Sequence, residues 1–227
     1  MVSVVIPAYN EEKTMTKTLE SLARQKTGIS FEVIVVDNNS IDKTKKIAGN
    51  FKKKLNIKVI KEKRQGRGAA RAAGFAEAIG EIILSTDADT VVPPNWIENM
   101  VKYFDNRKTV AVTGPWRISR GKKLTKFFVN NFQRLSILCL TGLNFGIRTG
   151  IYKKAGGFDR SLKAHEDIAL TFKVAKLGKI KYAGDIVVRT SGRRYKKGVL
   201  NGLWSYQKTA FNYFVLKDKS KNLGDRR

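Results

Sequence analysis

Four apolar runs rich in β-branched residues punctuate the first part of the chain: VSVVIPAY from Val2, FEVIVVDN from Phe31, IKVIKEK from Ile57 and EIILSTDAD from Glu81. Short runs of this kind, bounded by polar turns, read as strands buried on both faces. The segments between them carry helical periodicity instead. EEKTMTKTLESLARQ sets Met15, Leu19, Leu22 and Ala23 on one face, IDKTKKIAGNF follows the second run with Ser40 or Asp42 available as a cap, and GAARAAGFAEAI follows the third. Strands joined through helices demand right-handed crossovers, so the predicted class is α/β, a single domain with a mainly parallel sheet flanked by helices.

Such sheets bind ligands outside the carboxyl ends of their strands. Three polar sets stand at those ends, Pro7 to Glu11, Asp37 to Ser40, and Asp87 to Asp89. Asp87 and Asp89 are one residue apart, and two carboxylates brought together repel unless a cation or polar ligand lies between them.

The second half is less regular. NWIENMVKYF after Pro93 and Pro94 reads as a helix, TVAVTGPWR as one strand, and LTKFFVNNFQRLSILCL as an apolar helix. NFGIRTGIYKKAGGFD reads as a strand followed by a glycine turn, and KIKYAGDIVVRTS as one further strand. HEDIALTFKVAKLG is predicted to be a helix with Ile168, Phe172 and Ala175 inward and Gly178 as its stop. The tail GVLNGLWSYQKTAFNYFVL places Leu200, Leu203, Trp204, Phe211, Phe214 and Val215 on one helical face.

Cys139 is the only cysteine, which excludes an internal disulfide and a cysteine-based metal cluster. The opening residues lack the basic segment of a secretory signal, and the longest uncharged stretch with much apolar character, Leu135 to Ile147, has 13 residues, too few for a helix to cross a bilayer. The cytoplasm is therefore the expected compartment, with a peripheral position on the inner face of the cell membrane as an extension of it. The balance of 45 basic against 19 acidic side chains, a net charge of +26, calls for polyanionic company: nucleic acid, an anionic membrane or phosphorylated small molecules. Residues 52–71 hold nine of the basic residues and 189–227 another eleven.

The segments VSVVIPAYNEE, VIVVDNNSIDKT, GRGAARAAG, ILSTDADT, GGFD and HEDIAL occur in the order and spacing of family 2 glycosyltransferases, and residues 2–198 resemble that family. The resemblance implies a GT-A fold over 1–198, with a nucleotide-binding half to about residue 90 and an acceptor half from about 91, followed by a basic aromatic helix or tail over 199–227. It implies a nucleotide diphosphate sugar donor, with UDP favoured and GDP also suited. Pro7, Ala8, Tyr9 and Glu11 would line the base and ribose pocket, and Asp37 would accept from an imide N–H of the base. Arg71 and Ala88 would also contact the donor. Gly66, Gly68 and Gly74 would allow close approach of loop and helix. Asp89 of the DXD signature would hold Mg²⁺ or Mn²⁺, while Asp87 would face the ribose or the cation's water shell. Arg193 and Arg194, with Lys196 and Lys197 beyond them, would meet the diphosphate or an anionic acceptor.

Inverting transfer needs a carboxylate on the acceptor side. The resemblance makes Asp167 that base, Glu166 its nearest rival and His165, the sole histidine, a third candidate. An acceptor hydroxyl and a lipid phosphate both suit this arrangement, and an already ionised phosphate would need orientation rather than a base. No QxxRW motif is present, which favours single transfer over polymer synthesis. No specific nucleic-acid partner is expected. Two readings from other classes stand beside this one: a non-enzymatic nucleic-acid-binding protein, which the charge invites but no motif supports, and nucleotidyl transfer on a related sheet, whose glycine-rich basic loop PAYNEEK lacks.

Overall fold

The computed structural model describes residues 1–119, 121, 123–132, 139–162 and 164–195. The four apolar runs form strands β1 (Val2–Ala8), β2 (Phe31–Asp37), β3 (Ile57–Lys61) and β4 (Ile82–Ser85). Between them lie α1 (Met15–Ala23), α2 (Thr44–Asn50) and α3 (Arg67–Ala76). Further along come β5 (Thr90–Val91), α4 (Trp96–Lys102), β6 (Thr109–Thr113), β7 (Trp116–Ile118) and α5 (Lys123–Phe132). The described chain closes with β8 (Phe145–Arg148), α6 (Thr149–Lys154), α7 (Glu166–Ala175), β9 (Lys179–Tyr182) and β10 (Val188–Thr190).

The main sheet has seven strands in the order β3-β2-β1-β4-β8-β6-β9, with β8 antiparallel to both neighbours and the other pairs parallel. The chain builds outward from β1 to β3 and then returns to the other side of β1 with β4. That reversal opens a crevice at the carboxyl ends of β1 and β4, the place where such sheets hold ligands. Strand alternation explains the two-sided core. Val2, Val4 and Ile6 of β1 pack with Met15, Leu19, Leu22, Trp96 and Met100 from α1 and α4, while Val5 faces Ala70, Phe75, Leu170 and Val174 from α3 and α7. Gly74 lets α3 sit close on the sheet, since a Cβ there would lie 2.4 Å from Val5 Cγ1.

A second sheet of three strands, β5-β10-β7, lies beside the first. It overturns two readings of the sequence. TVAVTGPWR is not one strand but two, β6 in the main sheet and β7 in the small one, and KIKYAGDIVVRTS likewise divides into β9 and β10. Both breaks are locked by Asn144, whose fully buried amide donates to the carbonyls of Pro115 (2.9 Å) and Ile186 (2.8 Å) while accepting from Trp96 Nε1 (2.9 Å). A local propensity argument cannot see a cross-chain hydrogen-bond hub of this kind.

Three further expectations differ. The glycine turn of GGFD does not follow β8 directly, because α6 intervenes. Gly157, at φ +63, is packed against Tyr152, whose hydroxyl accepts from Phe158 N–H at 3.1 Å. The inward face of α7 is Glu166, Leu170, Thr171 and Val174, whereas Phe172 is 59% exposed and Ala175 is exposed. On α1, Thr18 takes the buried place expected of Ala23. Of the long apolar segment, residues 123–132 are helical, and residues 133–138 and the expected tail helix lie outside the described residues. Among the described residues no helix is long and apolar enough to cross a membrane.

Candidate active site

At the end of β1 the chain turns through Asn10, at φ +53, and delivers Glu11 to the crevice. The turn is tied to the segment after β2: Asn10 N–H donates to Ser40 Oγ (3.0 Å), Ile41 N–H to Asn10 Oδ1 (2.9 Å) and Glu11 N–H to Thr44 Oγ1 (2.6 Å). Pro7 and Ala8 pair with Val36 and Asp37 in the β1–β2 ladder, and Tyr9 is half-buried beside them. Asp37 is buried and accepts from Ser40 N–H at 3.2 Å. Its neighbour Asn38, which the sequence placed in the Asp37–Ser40 set without a role of its own, is buried and anchors the next loop. It donates to the carbonyls of Glu62 and Arg64 (both 2.8 Å) and accepts from Gly66 N–H (2.8 Å).

β4 ends at Ser85, opposite Val5, and the chain then turns so that Thr90 N–H donates to Asp87 O at 3.1 Å. Ala88 at the turn's centre is buried, and its carbonyl accepts from Thr18 Oγ1 of α1 at 2.9 Å. The two carboxylates of this turn are each taken by a different guanidinium. Asp87 Oδ1 accepts from Arg71 Nη2 at 2.5 Å, and Asp89 Oδ2 accepts from Arg193 Nη2 at 3.0 Å.

Arg71 is 2% exposed, so α3 points it inward rather than into solvent. Besides Asp87 it is ion-paired with Glu166, itself 2% exposed. Its Nε lies 3.4 Å from Ser85 Oγ, which donates to Gly142 O at 2.8 Å. Burial opposes the Arg71 charge, but Glu166, Asp87 and Asp167 more than offset it and raise its pKa. Burial likewise pushes the Glu166 carboxyl up, against the pull of Arg71. The structure thus separates the acidic pair at the start of α7. His165, at φ +61, turns the chain so that Glu166 faces inward, while Asp167 remains half-buried with Oδ2 accepting from Gly142 N–H at 2.9 Å.

The other guanidinium comes from a segment brought in by the small sheet. Pairing of Thr190 with Thr90 across β10 and β5 sets Ser191 and Arg193 beside Asp89. Thr190 Oγ1 (3.2 Å) and Ser191 Oγ (2.5 Å) donate to Asp89, and Arg193 Nη2 donates to both oxygens of Glu11 at 2.7 Å. Burial, and secondarily the nearby Asp89, raise the Glu11 carboxyl against the hydrogen bond from Arg193. The Arg194 backbone shares the turn 193–195, but its side chain, like Lys196 and Lys197, lies outside the described residues. Ser191, Thr190 and Gly142 were not legible as site residues, because each acts through one polar atom aimed by distant pairing.

Whether a divalent cation fits can be judged on the Arg193 guanidinium. One positive group already bridges Glu11 and Asp89, so these hard oxygens stabilise positive charge between them. Among the described residues no group of three or more His, Cys, Asp or Glu side chains stands ready to chelate a metal unaided. A cation held there would need phosphate oxygens as further ligands, as is usual for Mg²⁺.

The comparisons agree with this architecture. The family model described as Glycosyl transferase family 2 matches residues 3–164. The probable glycosyltransferase YdaM of Bacillus subtilis is 34% identical over 203 residues, covering 78% of this chain and 47% of the relative. The chain thus spans about half the length of that curated relative. The crystal structure of Staphylococcus aureus TarS 1–349 in complex with UDP-GlcNAc superposes with a TM-score of 0.70 at 27% identity, over 83% of this chain and 58% of the other. The mannosyltransferase PcManGT from Pyrobaculum calidifontis, in complex with GDP-Man and Mn²⁺, shares the fold, with a TM-score of 0.73 at 24% identity over 91% of this chain and 60% of that one. The matched span contains Glu11, Asp37, Arg71, Asp87 and Asp89, and the chain belongs to glycosyl transferase family 2.

Proposed function

We propose that this protein moves a sugar, with inversion, from a nucleotide diphosphate sugar to an acceptor hydroxyl or lipid phosphate. The observation that carries the reading is the convergence of Glu11, Asp87, Asp89 and Asp167, from three separate segments, around two guanidinium groups at the β1–β4 crevice. Isolated solvated turns have no reason to share one edge of a sheet.

In this reading the base and ribose lie over Pro7, Ala8 and Tyr9, and Asp37 accepts from the imide edge of the base. Asp89 would hold Mg²⁺ or Mn²⁺, with Glu11 facing the same point and Asp87 turned toward the ribose. The cation, when bound, offsets the charge that grows on the leaving diphosphate. Arg193, and Arg194 beside it, supply further positive charge for that diphosphate. Asp167 takes the proton of the acceptor hydroxyl as its oxygen bonds to the anomeric carbon. The carbon–oxygen bond to the diphosphate breaks on the opposite face and leaves its electron pair on phosphate. Glu166 holds Arg71, and Arg71 holds Asp87, so these residues fix the donor carboxylate relative to the acceptor side. The net charge of +26 and the exposed Leu124 and Phe127 flanked by Lys123 and Lys126 on α5 support peripheral contact with an anionic membrane.

Calorimetric binding of UDP and GDP with Mn²⁺, without it, and with Asp89→Ala tests the donor site. The expected result is metal-dependent binding of one nucleotide, lost in Asp89→Ala. Absence of binding by either nucleotide under every condition would overturn the reading.

A further inference from the structure

Resting on that donor-site reading, we propose that Arg193 is an exchangeable occupant of the cation position: in the free protein its guanidinium neutralises Asp89 and Glu11, and it yields that place when cation and diphosphate arrive together.

Geometry is the first argument. A single nitrogen, Arg193 Nη2, lies 2.7 Å from both Glu11 oxygens and 3.0 Å from Asp89 Oδ2. One positive group therefore already fills the space between the two carboxylates. Charge is the second. Two carboxylates and one guanidinium leave a residual negative charge, whereas a dication in place of the guanidinium leaves none. The diphosphate brought by the donor gives the displaced guanidinium a new partner of the kind it binds well. The seat is also easily vacated. Arg193 follows Gly192, at φ +70, on a short turn after β10, and its side chain is 26% exposed, against 3% for Arg71. Arg71 cannot leave its carboxylates without exposing the interior, whereas Arg193 can swing outward without disturbing the core. Finally, the hydroxyls of Thr86 and Thr90, at the two ends of the Asp87–Asp89 turn, are buried without a hydrogen-bond partner. These hydroxyls leave the turn with polar atoms available to a water or a ligand.

The exchange has a signature that a merely structural ion pair lacks: removing Arg193 should help one ligand and harm the other. Mn²⁺ alone is titrated into the full chain by paramagnetic resonance for wild type, Arg193→Gln, Arg193→Lys and Asp89→Ala. Without nucleotide, Arg193→Gln is expected to bind Mn²⁺ about 10-fold more tightly than wild type, because a charge-assisted competitor is gone. Arg193→Lys should resemble wild type, and Asp89→Ala should lose the site. UDP or GDP in the presence of saturating Mn²⁺ should bind Arg193→Gln more weakly than wild type. Mn²⁺ affinity in Arg193→Gln equal to or below that of wild type, including no binding by either, overturns the exchange. Metal-dependent nucleotide binding by wild type then shows that the donor-site reading survives, and its absence shows that the reading has failed as well. Arg193→Lys retains the charge and covers the case in which Arg193→Gln fails to fold, since it must keep Mn²⁺ affinity near that of wild type.

Discussion

Two residues of the site, Asp167 and Arg71, have different work. Asp167, half-buried and oriented by Gly142 N–H, is the proposed base. Asp167→Asn is expected to lower kcat by about 10²–10⁴-fold with nucleotide affinity unchanged, as removal of a general base does. A fall below about tenfold would assign Asp167 the orientation of an already ionised acceptor. Arg71 is structural first. Its replacement in Arg71→Met leaves Glu166 buried without its counter-charge, and the expected loss is about 3–5 kcal/mol. Burial already raises the Glu166 carboxyl, and removal of Arg71 raises it further. A carboxyl raised in the folded state favours folding below the ordinary glutamate range, and that contribution disappears as pH climbs through the raised value. Urea unfolding of Arg71→Met at pH 5 and pH 8 should therefore show the lower stability at pH 8, with a steeper fall than in wild type.

At the level of elements, the crevice is made by loops that other loops hold. Asn38, just past β2, fixes the segment leading into α3 through bonds to Glu62, Arg64 and Gly66. Asn38→Ala leaves buried backbone groups unpaired, and the expected cost is about 1–3 kcal/mol. Because that segment leads directly to Arg71, nucleotide affinity should fall too, which calorimetry on the folded variant would read. The start of α7 shows the same dependence. Its buried stripe begins at a charged residue, Glu166, because Arg71 waits inside, and that choice rotates Phe172 outward. Hydrophobic periodicity alone had placed Phe172 inward.

For the molecule as a whole, among the described residues the seven-stranded sheet ends at β3 and β9, and each carries lysines on its exposed positions: Lys58 and Lys61, Lys179 and Lys181. Charged edges discourage strand pairing between molecules, and a net charge of +26 adds general repulsion. The double variant Lys179→Val, Lys181→Val should aggregate at concentrations where wild type stays monodisperse, measurable by light scattering, with nucleotide binding of the soluble fraction unchanged.

The strand and helix alternation of residues 2–89 and the polar sets at the strand ends are local properties, and they were legible because buried parallel strands must be apolar throughout and their helices amphipathic. The positions of Glu11, Asp37, Asp87 and Asp89 at one edge follow from that alternation alone. What only the tertiary structure decided is how those groups are paired. The division of carboxylates between Arg71 and Arg193, the inward turn of Glu166, and the arrival of Ser191 beside Asp89 depend on contacts across 104, 95 and 102 residues respectively. Their cause is long-range pairing: β10 finds β5, and a buried guanidinium requires carboxylates from wherever the fold can bring them.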